Sequence, residues 1–185
     1  MNVKKPLSQH ERIRRVMLLC CHAFRNFAFY RSGWKSRKLQ ARNQFWIEAN
    51  GAFLDRAILE WCKLFADRKG RHHWKRVIKD PVQFESALYK HLRLSKREYL
   101  LYLKKVLRYR DKFIAHLDED RVMYIPRIKT ARNATAFLYD YLRKDPIACQ
   151  SIQDANLASV DFYSAMYRQD FFEYKKSYQA KCYLK

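Results

Sequence analysis

The stretch Ser95–Asp118 reads SKREYLLYLKKVLRYRDKFIAHLD, and its periodicity decides the fold. Ser95 and Glu98 stand in capping-box register: the Ser hydroxyl accepts the N3 backbone N–H and the Glu reaches back to the cap. The spacing predicts a helix from Lys96 to about Leu117. At about 100° per residue, Leu103, Leu107, Ile114 and Leu117 form one apolar stripe. Tyr99, Tyr102, Val106, Tyr109 and Phe113 form an adjacent one, and Lys104, Lys105, Arg108, Asp111 and Lys112 take the other side. On the same wheel Arg110 falls inside the apolar arc and His116 at its edge.

A guanidinium on an apolar arc is costly unless an anion pairs with it. The partner is either a carboxylate of the same fold, for which Glu48, Asp55 and Glu60 are the candidates, or a phosphate brought from outside.

Outward from this helix the chain reads as helical throughout. Ser8 and Glu11 form a second capping box. Ile13, Met17, Cys20, Phe24 and Phe27 follow in three- and four-residue steps, and this helix ends near Gly33. Another helix spans Arg42 to Ala66, with Phe45, Ala49, Phe53, Ala57, Trp61 and Leu64 inward and Gly51 positioned to permit close helix approach. Asp80 before Pro81 is an N-cap followed by proline at the first helical position, predicting a short helix to Leu92. A further helix covers Lys129 to Lys144, where Asp145-Pro146 closes it. Val122 to Ile125 is a loop or an edge strand. These elements predict an all-α bundle of four long helices with shorter accessory ones. Residues 1–145 hold the bundle, and residues 146–185 are an aromatic-rich helical extension packed on it or on a second copy.

Composition narrows the function. The 185 residues include 39 Lys and Arg against 18 Asp and Glu, a formal charge of +21. The excess is graded: residues 1–47 hold 11 basic and 1 acidic, residues 48–118 hold 17 and 9, and residues 119–185 hold 11 and 8. Such a field attracts polyanions and makes their binding salt-dependent, so nucleic acid is the natural partner. No apolar run approaches the ~20 residues of a membrane span, and the N-terminus lacks a signal-peptide core. The five cysteines form no CxxC pair, in keeping with reduced thiols and a cytoplasmic location.

Several chemistries find no pattern here. Three isolated glycines make no phosphate loop, there is no HExxH, and His72-His73 are adjacent, so neither a metal nor a cofactor is expected. Nothing points to a cysteine nucleophile. The segment Gly70–Arg76, GRHHWKR, combines cations with a ring on which a base can stack, making Arg71, His73 and Lys75 candidate RNA contacts. As a connector it would instead bury Trp74 in the core, the reading favoured for that ring.

The run Arg110-Asp111-Lys112-Phe113-Ile114-Ala115-His116 resembles the RX4-6H motif of the HEPN superfamily, with five residues between Arg and His and Asp111 at the polar position. With Leu59–Phe65 and His73-Trp74, the chain looks most like the abortive-infection branch of bacterial HEPN-like proteins over residues 10–145. The resemblance implies a bundle of four to five helices that often dimerises with motif helices facing. It also implies a metal-independent endoribonuclease of a phage-defence or toxin–antitoxin system, partnered by an antitoxin, or else an inactive RNA-binding or partner-binding module. Under it Arg110, Asp111 and His116 are the catalytic candidates. Arg110 would hold the phosphate, His116 would carry the proton, and Asp111 would orient His116 or a partner's Arg. Lys112 and Arg108 would touch the RNA backbone.

Overall fold

The computed structural model describes residues 6–36, 38–40, 44–114, 124–145 and 157–179. Six α-helices carry them: α1 (Gln9–Ser32), α2 (Gln44–Phe65), α3 (Pro81–Leu92), α4 (Lys96–Tyr109), α5 (Ile128–Leu142) and α6 (Ser159–Gln179). The all-α expectation holds. The one sheet among the described residues is a hairpin of two-residue strands, β1 (Trp34–Lys35) and β2 (Lys38–Leu39), antiparallel with Trp34 opposite Leu39.

Helix starts follow the capping signals. Both boxes form: Glu11 N–H donates to Ser8 Oγ at 3.2 Å and Glu98 N–H to Ser95 Oγ at 3.2 Å, each glutamate accepting the cap N–H at 2.7 Å. Asp80 Oδ1 accepts from Val82 and Gln83 N–H, with Pro81 beginning α3. These contacts satisfy donors that a helix start otherwise leaves open.

Helix α1 is the centre of the bundle, packed by α2, α5 and α6. Ile13, Met17, Cys20, Phe24 and Phe27 are all buried, and Phe24 meets Tyr139 of α5 edge-on and Phe162 of α6 at 6.1 Å. Helix α6 thus shares the core of the helices before it. Asp140 of α5 fixes its start, accepting from Ser159 N–H at 3.0 Å and Ser159 Oγ–H at 2.6 Å. No helix among the described residues is long and apolar enough to cross a membrane.

The first half of α2 departs from the expected register. Ala57, Trp61 and Leu64 are buried, whereas Phe45 is 70% exposed and Phe53 half-buried against Phe29. Asn50, one position off the predicted face, turns inward instead. Its Nδ2 donates to Tyr30 O and its Oδ1 accepts from Trp34 Nε1, each at 3.0 Å, tying α2 to the end of α1 and to the hairpin. The close approach belongs to Gly33: a Cβ there would run into the Asn50 amide, while one at Gly51 would meet open space.

Candidate functional site

Helix α4 lays its aromatic stripe into the bundle. Tyr99, Tyr102, Val106 and Tyr109 are buried; Tyr102 meets Trp61 edge-on, and Tyr109 Oη–H donates to Asp55 Oδ1 at 2.8 Å. The leucine stripe is only half covered. After Tyr109 the helix widens into a π turn, Arg110–Ile114, none of whose residues is fully buried. An i→i+5 turn holds one more residue than an α turn. The apolar arc drawn on an ideal wheel therefore does not run on through Ile114, and Phe113 and Ile114 are half-buried. Residues 115–123, His116 and Leu117 among them, lie outside the described residues.

Arg110 finds its anion within the fold, on neither Glu48, Asp55 nor Glu60. Its Nη1–H donates to Asp67 Oδ1 at 2.6 Å and its Nε–H to Asp111 Oδ1 at 2.8 Å, leaving the side chain 22% exposed. The hydrogen bond it donates to Asp111, above all, and that to Asp67 strengthen its hold on its proton against the pull of burial. The other three carboxylates are used elsewhere: Asp55 by Tyr109, Glu60 by Lys63 at 3.0 Å and Glu48 by Gln44 at 2.6 Å. Asp67 was missed because it lies past the end of α2, where helical periodicity carries no information.

What presents Asp67 is a tight loop. Asp67 N–H bonds back to Cys62 O at 2.9 Å, and Gly70 N–H donates to Asp67 O at 2.6 Å. A Cβ on Gly70 would stand 2.8 Å from that carbonyl, so the loop's return depends on glycine. His73 staples the same segment. Its Nε2–H donates to Phe65 O at 3.2 Å while Nδ1 accepts Lys75 N–H at 3.3 Å, which fixes the neutral Nε2–H tautomer. Burial lowers its pKa, and the ring is 2% exposed. The RNA-contact role expected of His73 is thus corrected to a structural one. Trp74 plugs the core beside Phe84, at 4.7 Å between ring centroids.

The other expected contacts are dispersed. Arg71, Arg108 and Lys112 are exposed, as is Lys75, which pairs with Glu85 at 3.6 Å and lies over the Trp74 ring. Asp111 orients its own chain's Arg110. Burial raises the thiol pKa of Cys62, next to Arg110, to about 12, the guanidinium pulling the other way, so no thiolate is available near neutral pH. No group of three or more His, Cys, Asp or Glu able to hold a metal occurs among the described residues.

A feature with no forewarning in the sequence borders this site. Leu100, Leu103 and Leu107 of α4 and the loop 66–70 enclose an open groove of about 990 Å³, with Asp67 in its wall. Its rim carries Arg68, Lys69, Lys96, Arg97 and Lys104, all exposed. Two copies laid groove on groove would set these five cations against their own kind.

No protein-family model, no curated protein and no solved structure matches this chain.

Proposed function

We propose that the protein is a HEPN-like, metal-independent endoribonuclease, acting as a dimer in a bacterial phage-defence or toxin–antitoxin setting. The observation that carries this reading is Arg110 itself: it opens the RX5H run on a π turn, partly exposed, and two carboxylates fix its orientation on a chain of charge +21. π turns interrupting a helix occur often at functional sites, and a fixed cation in a basic surround is what a phosphorane requires.

In this mechanism neutral His116 takes the 2′-OH proton, the 2′-oxygen attacks phosphorus, and the 5′-oxygen leaves with a proton from an acid. The products are a 2′,3′-cyclic phosphate and a 5′-hydroxyl. Arg110 stabilises the charge built up on the phosphoryl oxygens, and a second copy, paired away from the cationic rim, supplies the second His116 as acid.

A second reading has its own support. Asp67 and Asp111 already occupy two edges of the guanidinium, and their combined charge exceeds that of Arg110, as suits an RNA-binding or partner-binding module without catalysis. Incubation of a mixed RNA in EDTA separates the two. The nuclease reading expects cleavage to cyclic-phosphate ends that falls roughly 10²-fold or more in His116→Ala. RNA binding with a steep salt slope and no His116-dependent cleavage assigns the RNA-binding module, and the absence of both overturns the nuclease and RNA-binding readings and leaves the partner-binding one.

A further inference from the structure

We infer that the leucine groove beside Arg110 is a docking site for an acidic amphipathic helix of a partner protein. Leu100, Leu103 and Leu107 succeed one another at steps of three and four residues, the seam spacing with which one helix receives the side chains of another. The half-open seam runs from Lys96 to Leu107, roughly 18 Å at 1.5 Å per residue, room for a three-turn partner. The loop 66–70 forms the opposite wall.

Charge selects the occupant. With Leu100 and Leu107 at a positions and Leu103 at d, Arg97 and Lys104 fall at e, the positions whose charge sets partner choice in paired helices. The g positions, Tyr99 and Val106, are turned into the bundle. Arg68 and Lys69 extend the positive rim across the groove, and among the described residues none of the five rim cations forms a salt bridge. An incoming helix with leucines on one face and glutamates beside them satisfies floor and rim together, the helix-in-groove mode of recognition. A second copy brings cations to cations. Single-stranded RNA suits the rim but finds no ring on a floor of leucines on which to stack its bases.

The test uses three labelled 21-residue helices, read by fluorescence anisotropy on the full chain: leucine at a and d with glutamate at e and g, the same with lysine at e and g, and the acidic one with serine for leucine. The acidic leucine helix binds and the other two do not. Leu103→Glu/Leu107→Glu abolishes binding. Arg97→Glu/Lys104→Glu, at exposed positions and checked for unchanged melting, weakens the acidic probe roughly tenfold or more and admits the lysine probe.

Equal binding of the serine control overturns the inference, because it reduces the attraction to net charge. So does a solution dimer, seen by light scattering, that Leu103→Glu/Leu107→Glu converts to monomer, which gives the groove to a second copy. Loss of poly(U) binding in Leu103→Ser/Leu107→Ser, which leaves the charge unchanged, gives it to nucleic acid and overturns it as well. None of these readouts involves RNA cleavage, so this inference and the nuclease reading stand or fall separately.

Discussion

The two apolar faces of α4 meet different surroundings. Tyr99, Tyr102, Val106 and Tyr109 are at most 8% exposed, while Leu100, Leu103 and Leu107 stay half-open and Leu101 is 50% exposed. The difference lies in what each face can offer its neighbours. Two of the three inner-face tyrosines bring hydroxyls that tie the bundle, Tyr102 donating to Arg127 O at 3.0 Å and Tyr109 to Asp55 at 2.8 Å, while the third, Tyr99, contributes its buried ring. Leucines on the outer face bring area alone, and the described residues cover it only in part. One face therefore holds this chain together, and the other is left for something else to hold.

Adjacent residues make the contrast measurable by urea unfolding. Tyr102→Ala removes the ring packed on Trp61 together with its hydrogen bond and should cost about 3–5 kcal/mol. Leu103→Ala, one residue on, should cost less, about 1–2 kcal/mol, since that side chain packs on the core only in part. Equal costs would mean that the outer face is covered in solution.

An effect smaller than that at Tyr102 is expected at the junction of the two faces. Arg110→Ala leaves Asp67 and Asp111 without their shared cation and should lower stability by about 1–2 kcal/mol, moderated by the solvent that reaches all three groups. Arg110→Lys should recover only part of this, because an ammonium lacks the guanidinium's two donor edges. Full recovery by lysine would reduce the arrangement to charge balance.

The smallest effects are those of pH, and they have opposite signs on two groups attached to α4. The Ser95 backbone N–H, then its hydroxyl, lowers the pKa of Glu98 from the usual 4.5, so its contribution is present above that value and lost as pH falls through the folded one. Burial raises the pKa of Asp55 from 3.8, partly offset by the Tyr109 hydrogen bond. Its contribution is present below 3.8 and lost as pH rises through the folded value. Between pH 3 and 6, Glu98→Gln should flatten the gain of denaturant midpoint with pH, and Asp55→Asn should steepen it. Slopes changing in the same direction would contradict the two environments.

Much of this fold was legible because its signals are local. Ser8, Asp80 and Ser95 announce helix starts through chemistry confined to one turn, and the stripe of α1 lies within the broad arc that three neighbouring helices bury. The site was legible only in part. Arg110 stood out as a charge on an apolar arc, but its partner Asp67 sits 43 residues away in a loop whose path depends on Gly70 and on a buried His73. The expected inward face of α2 failed at Phe45 for a related reason. Near its start the helix is positioned by one polar residue, Asn50, holding the end of α1, and a search for apolar repeats passes over that kind of contact. A wheel likewise shows that α4 has a broad apolar arc, yet cannot say which half the bundle covers.

The π turn at Arg110–Ile114 also has a consequence for chain length. It accommodates one residue more than an α turn, so a single-residue deletion within it can be absorbed by a return to α geometry rather than by a break in the helix. Such a deletion, of Lys112 for example, would close the widened turn and change how Arg110 and Asp111 stand relative to each other without altering either of them. In this segment the number of residues, as well as their identity, determines where a charge points.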